Sequence, residues 1–186
     1  MARKPKKTPD YFTIEEARAL IAATESRDTR LAMRLMLRCG LRVSEALHVR
    51  PSFLRFDLTP PVISLPPDIP GNKAKEGREI PIPDDLIEIL KDRSSGETKA
   101  RNLRLVQISR QAVAHGMKHA AVAVGIDPAR VHPHAFRHTY GRDCILKGVP
   151  VNVLQQWLGH SSLTMTMLYV TLAGEHHSYV DRIQGG

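Results

Sequence analysis

Between positions 131 and 141 the chain reads "VHPHAFRHTYG", three histidines, an arginine and a tyrosine in one short stretch. His134, Arg137 and His138 fall at i, i+3 and i+4, so on a helix they share a face. Two histidines at i and i+4 can hold zinc, but HExxH is absent and no neighbouring Asp, Glu or Cys completes a ligand set. Other segments supply the rest of a different chemistry. "CGLRVSEAL" puts Arg42 just after a helix-breaking glycine, "GNKAKEGR" puts Lys73 and Lys75 in a polar turn, "LGHSS" puts His160 at a helix junction, and Tyr169 follows nine residues later. Arginine forks bind the non-bridging oxygens of a phosphate. A lysine can protonate an alkoxide leaving group. A tyrosine can attack phosphorus and form a covalent intermediate. Two arginines, a lysine, two histidines and a tyrosine are thus a coherent set for phosphoryl transfer without a metal.

These groups need a scaffold, and the sequence predicts a mostly helical one. "TIEEARALIAAT" begins with Thr13 and has Glu16 three residues on, a capping box, with Ile14, Ala17, Leu20 and Ile21 as its apolar stripe. "TRLAMRLMLRCG" turns Leu31, Leu35 and Met36 inward and stops at Gly40. "RVSEALHV" is a short third helix ended by Pro51. From 52 to 83, prolines and β-branched residues replace helical periodicity. "PVISL" and "REIPI" are strand candidates joined by "PPDIPGNKAKEG", which predicts a small antiparallel sheet with a protruding basic turn. Helices resume with "DDLIEILKD", a loop around "SSGETKA", and "SRQAVAHGMKHAAVAVG" capped by Ser109. "HPHAFRHTYGRDCILKG" follows with Pro133 in its first turn, then "VNVLQQWLG" and "SLTMTMLYV" broken at "GHSS". The expected fold class is mainly α, in the α+β sense, with neither repeats nor a domain linker. Tyr140 and Trp157 are expected in the core, Met165 and Met167 as core filler or interface, and His115 and His119 in solvent.

The composition limits the partners. The chain has 186 residues, 42% hydrophobic and 25% charged, which suits one folded domain. A formal charge of +8 favours a polyanion. Cys39 and Cys144 are the only cysteines and form no CxxC pair, so neither a disulfide framework nor a cysteine zinc site is implied. "MARKPKK" is basic but has no apolar stretch behind it, and no run of 18 apolar residues offers a membrane span.

The order Arg, Lys, His-x-x-Arg, His, Tyr resembles the tyrosine recombinase (phage integrase) family. "GLRVSEAL" is similar to its first arginine box, "NKAKEGREIPI" to its lysine hairpin, "HPHAFRHTYG" to its HxxRH box, and "WLGHSSLTMTMLY" to the box that ends in its tyrosine. The likeness runs from about residue 12 to about 172. It implies that Arg42 and Arg137 clamp the scissile phosphate. His134 would bond that phosphate and assist proton movement at the nucleophile, and His160 would donate to a phosphate oxygen. Tyr169 would be the nucleophile, while Glu45 orients the site and His138 supports it. Lys73 would be the general acid for the 5′-hydroxyl, with Lys75, two residues on, as the alternative.

The implied reaction gives a 3′-phosphotyrosyl bond and a free 5′-hydroxyl, reversed by a 5′-hydroxyl from another strand, with no cofactor and no metal. The implied partner is double-stranded DNA, bound by a protein that is a monomer in isolation and a tetramer on two DNA sites, with accessory DNA-bending proteins as further partners and no membrane. Arg3, Lys4, Lys6, Lys7, Lys75 and Arg78 are expected to contact the DNA. The implied setting is the cytoplasm of a prokaryote, at the nucleoid. Residues 1–12 are expected as a flexible basic arm, 13–172 as the catalytic domain and 173–186 as a tail in which Tyr179, Val180 and Ile183 dock on a neighbouring protomer. Members usually carry a second, N-terminal helical domain that grips the DNA. This sequence resembles the small fimbrial phase-switching recombinases that lack one, and the initial Met before a basic arm is read as a natural start. Two alternatives share the residues: a non-catalytic DNA-binding regulator derived from a recombinase, and a nicking-closing enzyme like the type IB topoisomerases. A metal-dependent hydrolase built on the histidines is a third.

Overall fold

The computed structural model describes residues 10–72 and 76–174. Arg3, Lys4, Lys6, Lys7, Lys73, Lys75, Tyr179, Val180 and Ile183 lie outside them. Helix α1 (Ile14–Ala23) opens on the expected capping box: the Glu16 amide donates to the Thr13 hydroxyl at 3.1 Å, and the Thr13 amide to the Glu16 carboxylate at 2.8 Å. Helix α2 (Arg27–Cys39) is capped by Ser26 and stops at Gly40, whose φ of 62° lies in the left-handed region that favours glycine. A Cβ on Gly40 would stand 2.4 Å from the Tyr140 ring, so the helix end also needs glycine for close approach. The chain then turns into α3 (Val43–Ala46), which is only four residues long.

A 3₁₀ turn (Pro51–Phe53) leads into a sheet of three antiparallel strands in the order β1 (Leu54–Arg55), β2 (Val62–Leu65), β3 (Arg78–Pro81). Ile63 pairs with Leu54 on one side and Ile80 on the other. β1 is an addition to the two strands expected, and at two residues it is too short to show any alternation. Helices α4 (Asp84–Arg93), α5 (Gly96–Ala100), α6 (Arg110–Ala123), α7 (Pro133–Leu146), α8 (Val151–Leu158) and α9 (Leu163–Gly174) complete the domain. The stretch expected as a loop around "SSGETKA" is α5, a single short helix with no buried residue and therefore no apolar period to reveal it. The result is mainly α with one small sheet, as expected.

Two apolar clusters hold these elements. The larger runs from Phe12 to Phe136 and includes the inner faces of α1, α2, the sheet, α4 and α6. The smaller comprises Tyr140, Cys144 and Ile145 of α7 with Leu154, Leu158, Tyr169, Leu172 and Ala173 of α8 and α9. Helix α7 belongs to both. The segment before α1 is packed as well: Phe12 is buried against Phe136 with ring centroids 5.1 Å apart, and its amide donates to Thr139 Oγ1 at 2.9 Å. Tyr11 lies under the Arg142 guanidinium at 5.0 Å. The packed domain therefore starts before residue 13, where the sequence had placed a flexible arm. Trp157 is only partly buried, and Met165 and Met167 are exposed on α9. Helix α9 buries Thr166, Tyr169, Leu172 and Ala173, a stripe that leaves positions 165 and 167 to either side.

Candidate active site

Five of the six residues expected to do chemistry are described, and four of them converge where α3, α7 and the α8–α9 turn meet. Glu45 is at the centre. It is fully buried, a position a carboxylate tolerates only when its charge is matched. The Arg42 guanidinium donates to its Oε1 at 2.9 Å, and Arg78 donates to its Oε2 at 2.8 Å. Arg137 Nη1 lies 3.9 Å from the same Oε2. The Arg42 amide also donates to Oε2 at 2.7 Å, which closes a capping box on α3 and explains why so short a helix is well defined. Three guanidinium charges thus face one carboxylate, leaving an excess of positive charge in a largely buried place.

Arg137 is the most enclosed of the expected pair. Its Nη1 donates to Gly40 O at 2.5 Å and its Nη2 to Leu158 O at 2.6 Å, so it bridges the end of α2 to the end of α8. Burial, with Arg42 beside it, lowers its pKa to about 10, and it remains charged at neutral pH. Arg42 also reaches Gly159 O at 3.3 Å. Arg78, expected to face DNA, is turned inward. Its side chain is 6% exposed and every guanidinium nitrogen has a partner within the chain: Trp157 O, Asn72 Oδ1 and Glu45 Oε2. A basic residue at a strand start reads as surface in the sequence, and nothing in the one-dimensional pattern reveals the buried carboxylate that draws it in.

The Tyr169 side chain lies against α7, where Gly141 makes room for it: a Cβ there would stand 2.7 Å from the ring. Tyr169 is 2% exposed, and its hydroxyl is 3.2 Å from His138 Nδ1. The His160 ring stacks on it with centroids 6.1 Å apart and planes 14° from parallel. His160 is itself fixed by Thr166, whose buried hydroxyl is 2.9 Å from His160 Nδ1. Burial raises the Tyr169 pKa, and the charges of Arg137 and Arg42 oppose that rise. Burial, with the cations and histidines around them, lowers His138 and His160 to about 4, so both rings are neutral at neutral pH. His134, expected to serve the nucleophile, is exposed at the first turn of α7, with its ring 6.4 Å from that of His138. Partial desolvation by the neighbouring chain, followed by the charge of Arg137, lowers its pKa too. The imidazole that meets the tyrosine hydroxyl is therefore His138, the residue the sequence had given only a supporting part. Among the described residues no group of three His, Cys, Asp or Glu is placed to hold a metal ion.

The model of the phage integrase family matches residues 10–176. The chain belongs to that family. Among curated family members, the chain is 31% identical over 176 residues to a tyrosine recombinase of Thermosipho africanus, covering 91% of this chain and 60% of that protein. It is 31% identical over 183 residues to the tyrosine recombinase XerA of Thermococcus onnurineus, covering 92% of this chain and 61% of that one. The chain thus spans about 60% of the length of these relatives. Among solved structures, it resembles the catalytic domain of bacteriophage HP1 integrase, at 25% identity and a TM-score of 0.68, covering 95% of this chain and 94% of that one. The XerH site-specific recombinase bound to its difH substrate shares the fold at a TM-score of 0.70 and 18% identity, with 97% and 54% of the two chains covered. Among the described residues no helix is long and apolar enough to cross a membrane.

Proposed function

We propose that this domain cuts and rejoins DNA strands as a tyrosine site-specific recombinase, with Tyr169 as the nucleophile. One observation carries the reading: a buried tyrosine hydroxyl touches a neutral imidazole beside a group of arginines whose charge exceeds that of their one carboxylate partner. A phenol with a raised pKa is a poor nucleophile until a base and a cation-stabilised phosphate stand next to it. Arg42 and Arg137 each keep N–H donors beyond those they use within the chain, and these take the non-bridging oxygens of a phosphodiester. His160, its Nδ1 engaged by Thr166, offers Nε2 to the same phosphate, and exposed His134 meets it from the solvent side. As Tyr169 Oη forms its bond to phosphorus, its proton passes to the Nδ1 lone pair of His138. The P–O5′ bond breaks, and the leaving oxygen takes a proton from Lys73, with Lys75 as the alternative donor. Attack by a 5′-hydroxyl on the phosphotyrosine reverses every step. One phosphoester replaces another, so the reaction needs no external energy source, and catalysis consists of positioning and charge stabilisation.

The likeness to named recombinases favours exchange between strands over simple nicking and closing. Exchange requires four strand breaks, hence four such chains on two DNA sites, in an assembly that the tail 173–186 would help to join. The test is a nicked duplex that traps the covalent product. Wild type, Tyr169→Phe and Tyr140→Phe are incubated with labelled DNA in the presence of a chelator and denatured in detergent. Wild type and Tyr140→Phe should form a protein–DNA adduct, and Tyr169→Phe none. An adduct that persists in Tyr169→Phe would remove the basis of the reading.

A further inference from the structure

Helix α8 ends in three consecutive carbonyls, and each is taken by a different arginine. Arg78 Nε donates to Trp157 O at 2.9 Å, Arg137 Nη2 to Leu158 O at 2.6 Å, and Arg42 Nη2 to Gly159 O at 3.3 Å. The last carbonyls of a helix have no partner within it and carry the negative end of its dipole, so three guanidinium groups are well placed there. These arginines come from β3, α7 and the entry to α3, and they meet again at Glu45. The end of α8 and the carboxylate together form a frame that fixes all three.

Arg78 differs from the other two. Its Nε, Nη1 and Nη2 are engaged by Trp157, Asn72 and Glu45, and only 6% of its side chain is exposed. It therefore has a buttress's contacts and not a ligand's. It also sits under the turn that leads to the nucleophile's helix. Gly159 has φ +61°, and a Cβ there would come within 3.1 Å of the Arg78 guanidinium. The next residue is His160, and α9 follows.

We propose that Arg78 is a positioning residue for strand cleavage, a third arginine that holds Glu45 and the α8–α9 turn in register and so sets where Arg42, His160 and Tyr169 stand. This rests on reading the site as a DNA-cleaving tyrosine site. The planar fork matters as much as the charge, because an ammonium is a compact point charge that cannot reproduce three contacts aimed in fixed directions.

The test compares wild type, Arg78→Lys and Arg78→Met as full chains. Three quantities are measured: duplex affinity, single-turnover cleavage of a nicked duplex at saturating protein, and the His160 pKa by NMR titration without DNA. The expected result for both variants is an affinity within about threefold of wild type and cleavage slower by about thirtyfold or more. The His160 pKa should rise from about 4 toward its ordinary value of 6.5 as the turn loosens. Full cleavage by either folded variant overturns the proposal. So does a loss of affinity that accounts for the loss of cleavage, which would make Arg78 a DNA contact. A His160 pKa that stays at about 4, as in wild type, in Arg78→Lys overturns the requirement for the fork. Should Arg78→Met fail to fold, Arg78→Lys carries the comparison. If wild type forms no Tyr169 adduct, the recombinase reading fails by itself, and the His160 titration decides the positioning role.

Discussion

Gly141→Ala adds one methyl group to α7, and the structure sets what that methyl must do. The new Cβ would lie 2.7 Å from Cε1 and Cζ of Tyr169 and 2.8 Å from Cδ1. Carbon atoms in contact prefer roughly 3.5–4.0 Å, so the ring must retreat by about 1 Å. It has little room to do so, since His160 stacks on one face and His138 holds the hydroxyl. Overpacking of this kind costs about 1–3 kcal/mol, roughly 3–9 °C in Tm for a chain of this size. A displacement of about 1 Å at a reacting atom costs on the order of a hundredfold in rate. Single-turnover cleavage of a nicked duplex should therefore fall about a hundredfold while duplex affinity changes less than threefold. Cleavage within threefold of wild type, with an unchanged Tm, would refute the reasoning, because the reactive position of Tyr169 could not then be the one against Gly141.

Acid should act on the site through its two neutral histidines. His138 and His160 have folded pKa values of about 4 against an ordinary 6.5, so between those values the unfolded chain binds more protons. Stability should be complete above about pH 6.5 and decline toward pH 4, with the decline reduced in a His138→Gln/His160→Gln chain followed by thermal melting. Single-turnover cleavage should fall below about pH 5, as the His138 lone pair is lost. Glu45→Ala should leave three guanidinium groups without their common partner and cost about 3–5 kcal/mol, seen as a Tm lower by roughly 10 °C or more; an unchanged Tm would dismiss Glu45 as the hub. Phe12→Ala should cost about 3–5 kcal/mol in chemical denaturation, whereas a residue of a loose arm would cost nothing.

What could be read in the sequence was mostly what is local. Thr13 with Glu16, Ser109, Pro133 and Gly40 mark helix ends because each satisfies or relieves backbone groups within a few residues of itself. The candidate reactive side chains could be named because their types suit the chemistry of a phosphate and their order resembles that of the recombinase family. The supports were harder to see. Arg78 answers to a carboxylate 33 positions away, and to a backbone carbonyl that no side chain announces. His138 and His134 lie on one helical face, and only the placement of α9 decides which of them meets the tyrosine. Helix α5 and strand β1 are too short to carry a period. Core and interface stayed open for Met165 and Met167 because α9 is apolar on nearly every side, and only its packing on α7 selects the buried stripe and leaves both methionines exposed.

The two apolar clusters meet along α7, and the groups proposed to react are distributed on both sides of that seam. Arg42 is rooted in the larger cluster, Tyr169 in the smaller one, and α7 is the hinge pin common to both. Proteins open in cooperative units, and the smaller unit opens at lower free energy than the whole. Detachment of α8 and α9 would carry Tyr169 away from Arg42 and Glu45 while most of the chain stayed folded. In hydrogen exchange the amides of α9 should report that event well below the free energy of global unfolding. On the proposed reading cleavage competence is then a property of the closed seam, and a ligand that bridges it, a DNA backbone included, favours the closed form by as much as it binds that form more tightly than the open one.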